Sequence, residues 1–308
     1  MKFTLRQLEI FVAVARHESV SRAADELALS QSATSTALGE LERQFDTRFF
    51  DRIGKVLRLN ELGKALLPHA VQLIEHAEEI ETLMARKTDF GPIQIGATLT
   101  IGNYLATLIV ADFLRRHPSA RVALSVHNSA TVVQQVANYA LDLGLIEGRC
   151  RHPDLIAEPW VADELVVFCA PGHPLAQVGE VSLATLQTQD WILREVGSGT
   201  RETFDQAMRH GSSNLRVRLE LEHTEAIKRA VESGLGIGCI SRLALREAFR
   251  RGSLVPLTTP ELDLRRQFQF VIHQRKYVTA GMQAFMALCR QLTAGVTRSD
   301  EIALPFIP

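Results

Sequence analysis

Apolar residues recur at helical spacing from the start of the chain: Leu5, Leu8, Ile10, Phe11, Val12, Val14 and Ala15 predict a buried first helix over residues 4–17. A short second helix is expected next, with Ser21 as its N-cap and RAADELA as its body. Ser30 is expected to cap a third, QSATSTALGELERQF. Residues 48–60, RFFDRIGKVLRLN, alternate and carry Gly54 at an expected turn, which predicts a hairpin or wing. Asn60 then caps a long helix in which Leu62, Leu66, Ala70, Leu73, Ala77, Ile80 and Met84 recur at steps of four and three, the seam of a two-helix packing. Pro68 should bend that helix. The acidic run Glu75, Glu78, Glu79 and Glu81 marks an expected outer face.

At residues 89–92 the run DFGP breaks the helix, and strand-like runs begin to alternate with helices. PIQIGA, a helix over YLATLIVADFLRRH, RVALSV, a helix over ATVVQQVANYA, and LDLGLIE make one set. ELVVFCAP, WILRE, a helix after GSGTR, RVRLELE, a helix over EAIKRAVES, and GIGCISRLALREAF make another. RQFQFVIHQ and a helix over GMQAFMALCRQLTA close the chain. The pattern predicts two α/β lobes with a mainly parallel sheet and a ligand cleft between them.

At 308 residues the chain is long for a single core. Its net charge of -1 and pI near 6.8 give no sign of a generally basic nucleic-acid binder, so any DNA-binding surface must be local. Such a patch exists: between residues 43 and 58, Arg43, Arg48, Arg52, Lys55 and Arg58 face only Asp46 and Asp51, an excess of three positive charges. Two short helices before it, the second opening with Gln and hydroxyl side chains, have the pattern of a helix-turn-helix, where small polar residues can reach base edges or phosphates. No signal-like or membrane-spanning run is present, which points to the cytoplasm and no membrane partner. Cys150, Cys169, Cys239 and Cys289 are far apart and form neither a C-x-x-C pair nor zinc spacing, so no metal or cofactor is expected.

Candidate chemistry centres on REVGSGTR, residues 194–201. It lacks the P-loop spacing and the G-x-S-x-G elbow, and no acid, base or nucleophile set can be assigned, so no catalytic residue is expected. GLGIG at residues 234–238 follows a helix and opens a strand, the wrong order for a dinucleotide turn. What remains is a strand followed by a helix start rich in hydroxyls and free N–H groups, matched in the other lobe by GATLTIGNYL. Glu147 and Glu195 would repel an anion there if both pointed inward.

The run QLEIFVAVARHESVSRAADELALSQSATSTALGELERQFDTRFFDR resembles the winged helix-turn-helix of LysR-type transcriptional regulators. The resemblance extends through the linker helix into a two-lobed, periplasmic-binding-protein-like effector domain, and so covers essentially the whole chain. It implies an α+β multi-domain protein: a winged helix-turn-helix over residues 1–60, a dimerisation helix over 61–88, and an effector domain over 91–308, with lobe I at 91–161 and 268–308 and lobe II at 162–267. Its implied partners are double-stranded promoter DNA, a small-molecule effector, further copies of itself in a homodimer or homotetramer, and RNA polymerase. By matching positions, Gln31, Ser32, Thr34 and Ser35 would face DNA, Ser21 and Arg22 would lie near phosphates, and Arg52 would sit in the wing. Where many members carry a basic or amide pair after the serine of helix three, this chain has Thr36 and Ala37, which leaves more to Gln31 and DNA shape.

Within that family SQSATSTALGELE, FDRIGKVLRLNELG, TIGNYL and REVGSGTR look most like the sulfur-assimilation and sulfite-responsive branch, and somewhat like regulators of carbon fixation. The first likeness implies a small sulfite- or sulfate-like oxyanion held by Thr98, Thr100, Gly102 and Asn103 from lobe one and by Ser198, Gly199 and Thr200 from lobe two. The second leaves an organic acid as the alternative effector. A solute-binding protein or an enzyme on a two-lobed α/β scaffold would be the reading outside the family.

Overall fold

The computed structural model describes residues 2–53, 56–84, 90–209 and 215–303. The turn expected at Gly54 and Lys55, and the helix break expected at Asp89, lie outside them.

Helix α1 (Leu5–His17) starts at a reciprocal cap: the Gln7 N–H donates to Thr4 Oγ1 and the Thr4 N–H to Gln7 Oε1. Helix α2 (Val20–Glu26) is capped by Ser19, whose hydroxyl accepts from the Arg22 N–H. The expected cap, Ser21, lies inside the helix, too late in the chain to accept from that group. Helix α3 (Gln31–Gln44) is capped by Ser30 as the sequence suggests. Strands β1 (Phe50–Ile53) and β2 (Val56–Leu59) pair antiparallel as the wing. Asn60 accepts from the Gly63 N–H at the start of α4 (Glu61–Met84), which runs through Pro68. Phe11 is fully buried at the centre of this unit, its ring 5.4 Å from Phe49 and 5.5 Å from Phe50, with Ala23, Leu38, Leu41, Leu67 and Ala70 around them.

The second unit runs through β3 (Ile93–Thr98) and α5 (Leu99–Ile101), which continues through a π-turn at Gly102–Ala106 into α6 (Thr107–Arg116). Then come β4 (Val122–His127), α7 (Ser129–Ala137), β5 (Leu143–Glu147) and the long β6 (Leu155–Cys169). After α8 (Leu183–Gln187), β7 (Asp190–Arg194), α9 (Gly199–Met208), β8 (Arg216–Leu221), α10 (Thr224–Glu232) and β9 (Ile237–Ser241) build the second lobe. The chain closes with α11 (Arg242–Arg251), β10 (Val255–Pro256), β11 (Arg265–His273) and α12 (Ala280–Leu292).

One sheet runs through both lobes in the order β4-β3-β5-β11-β6-β9-β7-β8. The pairs β3/β4, β3/β5, β7/β8 and β7/β9 are parallel. The sheet as a whole is mixed rather than mainly parallel, because β6 and β11, the two strands that cross between the lobes, run antiparallel to each other and to their neighbours. The β6/β11 register slips between Phe268 and Gln269, beside Pro159, whose missing N–H is tolerated at such an irregularity.

The two units also touch. Tyr139 is buried against the apolar core of the first, and its hydroxyl bonds His273 Nδ1 at 2.8 Å. Glu75, expected on an outer face, instead pairs with Lys276, which also holds Asp142 at 2.7 Å.

Replacing Phe11 by Ala removes the ring at the centre of the aromatic cluster and is expected to cost about 3–5 kcal/mol of the first unit's stability. Urea denaturation followed by far-ultraviolet circular dichroism measures this, and a loss below about 1 kcal/mol would mean that the cluster does not hold the unit together.

Candidate DNA-binding and effector sites

The capped start of α3 presents Gln31, Ser32 and Ser35 to solvent, next to exposed Thr36. Thr34 does not join them. It is fully buried, and its hydroxyl donates to the Ser30 carbonyl, because position 34 falls on the helix face that packs on the aromatic core. Ser21 and Arg22 are exposed near the start of α2, where the Arg22 guanidinium donates to the His17 carbonyl. Arg52 is exposed in the wing, opposite Leu57. These groups, with exposed Arg43, Arg48 and Arg58, make a polar and basic surface suited to phosphate and base-edge contacts.

Between the lobes, the two hydroxyl-rich helix starts converge on one carboxylate. Glu147, at the end of β5, is 2% exposed. Its Oε1 accepts from the Thr100 N–H at 2.8 Å, and its Oε2 accepts from the Thr200 hydroxyl at 2.9 Å and from Arg266 Nη1 at 3.0 Å. Arg266 Nη1 also donates to the Thr200 oxygen, and Arg266 Nε donates to Asp163 at 2.6 Å. The other Asp163 oxygen accepts from Ser241 and Ser299. Burial alone would push the Glu147 carboxyl up, but the Arg266 and Arg194 guanidinium groups and the bonds from Thr100 and Thr200 outweigh it and hold the group below the usual carboxylate range. The glutamate therefore points inward and stays ionised, neutralised by an arginine.

The remaining candidates separate around this network. Thr98 is buried at the N-cap of α5, where its hydroxyl donates to the Leu145 carbonyl. Gly102 is buried against Val126, leaving no room for a Cβ. Exposed Asn103 lines a cavity of about 350 Å³ with Asn128, Thr131, His127 and His223 and with two carboxylates, Glu195 and Glu222. Gly199 lies so close to the strand end that a Cβ there would sit 2.2 Å from the Glu147 carbonyl oxygen, and its N–H donates to Ser129. Ser198 is 2% exposed, and its oxygen has no hydrogen-bond partner. Arg194 forks onto Glu195, whereas Arg201 pairs with Asp205 and Glu220 rather than with Glu202.

Sequence reasoning did not select Arg266, Asp163, Ser129 or Tyr104. Arg266 lies in an alternating strand, where RRQFQF reads as outward polar and inward apolar, yet Arg266 is itself on the buried register with Phe268 and Phe270. That shared parity was the available signal. Tyr104 bonds Glu225 across the lobes.

Among the described residues no His, Cys, Asp and Glu cluster could hold a metal ion, and no helix is long and apolar enough to cross a membrane.

Comparison with known proteins matches residues 5–64 to the bacterial regulatory helix-turn-helix protein, lysR family, and residues 86–294 to the LysR substrate binding domain. The chain is 43% identical to the Escherichia coli (strain K12) protein named uncharacterized HTH-type transcriptional regulator YeiE, over 94% of this chain and 98% of that one. It is 33% identical to the RuBisCO operon transcriptional regulator of Allochromatium vinosum, over 92% and 95% of the two chains. Its fold is similar to that of a full-length OxyR variant from Pseudomonas aeruginosa, with a TM-score of 0.74, 20% identity and 95% of each chain covered. The Synechocystis CcmR regulatory domain in complex with 2-PG matches with a TM-score of 0.63 and 27% identity, over 67% of this chain and 99% of that domain.

Arg266→Met leaves the Glu147 and Asp163 carboxylates buried without their cation and is expected to cost about 3–5 kcal/mol, while adding Glu147→Gln to Arg266→Met recovers only the Glu147 share, because Asp163 stays unpaired. Because the folded carboxyl titrates below its unfolded counterpart, its stabilisation is present above the ordinary carboxylate pKa and fades as pH falls toward the depressed value. Denaturant midpoints from pH 3 to 7, relative to Glu147→Gln, measure this; a difference that grows on acidification contradicts the assignment.

Proposed function

The chain belongs to the LysR family of DNA-binding transcriptional regulators with an effector-binding domain, and we propose that within that family it senses a small sulfite- or sulfate-like oxyanion in the cleft around Glu147. One observation carries this reading: the Glu147 carboxylate, itself an oxyanion, is held by a helix-start N–H from one lobe, a helix-start hydroxyl from the other, and a buried guanidinium. A donor set that solvates an internal carboxylate can solvate a free oxyanion of similar size. Two such charges about 4 Å apart would repel by about 4 kcal/mol at an effective dielectric of 20, so the incoming anion displaces Glu147 instead of joining it. Thr100 then faces it from lobe one and Thr200 from lobe two, whereas Thr98, Gly102, Asn103, Ser198 and Gly199 are turned to other partners.

Displacement frees Arg266, whose other nitrogen holds Asp163 on the crossing strand β6, so effector binding reaches the hinge between lobe I (91–161 and 268–308) and lobe II (162–267). In this reading residues 1–60 bind the promoter, with Gln31, Ser32 and Ser35 on base edges, Ser21 and Arg22 on phosphates, and Arg52 in the wing. Residues 61–88 dimerise: Leu62, Leu73, Ile80 and Met84 form an exposed apolar row on α4 that a second copy would cover. Pairs of dimers then make the homotetramer, in the cytoplasm, where RNA polymerase is the further partner.

A second reading rests on the cavity of about 350 Å³ beside Asn103, which has room for more than an inorganic anion. The likeness to a RuBisCO operon regulator and to a regulatory domain that holds 2-PG supports an organic acid there.

A thermal-shift panel of sulfite, sulfate, thiosulfate, phosphate and small carboxylates on the full chain separates the two. At a hundredfold excess over Kd, the true effector should add about 2.7 kcal/mol of stability. Stabilisation by sulfite or sulfate that is lost in Thr100→Pro and Thr200→Val supports the first reading; stabilisation by organic acids alone overturns it. In a gel shift, Gln31→Ala should weaken promoter binding, by about 1–3 kcal/mol if the amide reads a base, without changing that thermal response.

A further inference from the structure

A second cavity, of about 460 Å³, opens on the other side of the REVGSGTR loop and shares no lining residue with the one beside Asn103. Two bonds between the lobes floor the boundary: the Ala130 N–H donates to the Gly197 carbonyl and the Gly199 N–H to the Ser129 hydroxyl. Along its walls stand Arg149, Arg151, Arg201 and Arg209, against only two carboxylates, Glu202 and Asp205. Arg201 is fixed by Asp205, Glu220 and the Arg194 carbonyl. Arg149 and Arg151 are exposed and have no ion-pair partner among the described residues.

Ser198 forms part of the wall. Ser198 is the N-cap of the ten-residue helix α9, yet its side chain makes no capping bond, in contrast to Ser19, Ser30, Asn128, Ser182, Ser241 and Thr279 at other helix starts. It is 2% exposed, unpartnered, and part of the cavity wall. A buried hydroxyl without a partner is costly, and a ligand oxygen bonded to it would recover that cost. Beside it, Val133 and the largely exposed Val196 offer an apolar surface.

We propose that this groove is a second anion site, taking a small phosphate monoester whose phosphate meets Ser198, the first turn of α9 and the guanidinium groups of Arg149 and Arg151, and whose carbon skeleton lies on Val133 and Val196. Guanidinium forks and a helix start suit a tetrahedral dianion, and the net positive lining suits two negative charges better than one. The site is independent of the Glu147 cleft. Because its walls come from both lobes, its occupancy favours the closed arrangement and couples positively to any effector that does the same.

Isothermal titration of the full chain with glycerol 2-phosphate, inorganic phosphate and sulfite tests this. Glycerol 2-phosphate should bind, with affinity reduced about tenfold or more in Arg149→Ala/Arg151→Ala and about threefold or more in Ser198→Ala. It should be unchanged in Arg250→Ala/Arg251→Ala, which removes the same charge from the far end of α11. The sulfite response should survive in Arg149→Ala/Arg151→Ala. No heat with glycerol 2-phosphate up to about 10 mM, equal affinity in Arg149→Ala/Arg151→Ala, or binding of inorganic phosphate without the ester overturns the proposal. Loss of ester binding in Thr200→Val but not in the arginine variant places the ester in the Glu147 cleft and overturns it too. A sulfite failure alone counts against the cleft reading and leaves this one standing.

Discussion

The buried chain Glu147–Arg266–Asp163 is the constraint around which the effector unit is arranged. Three ionised groups lie where water is excluded, and each would be costly there without the next. Glu147 ends a strand of the first lobe, Arg266 sits on the strand that returns from the second, and Asp163 sits on the strand that leaves the first. Thr100 and Thr200 add a donor from each lobe. Moving either lobe therefore strips a partner from a buried charge, which gives the closed arrangement a definite geometry rather than a diffuse apolar contact. One guanidinium nitrogen of Arg266 is left without a partner even so.

Much of this was legible along the chain, and the reasons for the exceptions are physical. Helix periodicity and caps located the first unit because its core is local: α1, α3 and the wing meet around Phe11. The cap of α2 was displaced because Ser19 and Ser21 are chemically equal candidates, and only the backbone bond to Arg22 distinguishes them. Thr34 read as a DNA contact because hydroxyls are common on both faces of a recognition helix, and only packing shows which face is inward. Glu75 read as solvated because its partner, Lys276, lies 201 residues further along the chain.

The effector cleft shows the same limit more sharply. Both helix starts were visible as loops of hydroxyls and glycines, and Glu147 was visible as an obstacle to an anion. Its role as the resident oxyanion depended on Arg266, which hides in an alternating strand, and on β6, whose early half Leu155–Ala162 was obscured by Pro159. The glycine-rich loop was read as one jaw of one cleft. In the fold its residues divide, Thr200 turning to Glu147 and Ser198 to the arginine-lined groove. Contacts through Tyr139 and Lys276 tie the same unit to the core of the helix-turn-helix and to α4, so lobe geometry and DNA-binding geometry share a frame.

The most direct measurement of the central claim is a crystal structure of the full chain grown with sulfite. The account predicts density for the anion within hydrogen-bond distance of the Thr100 N–H and the Thr200 hydroxyl, with the Glu147 side chain turned away and Arg266 no longer bonded to it. Glu147 still seated on Thr100, Thr200 and Arg266 at saturating sulfite, with no anion between the lobes, would contradict it.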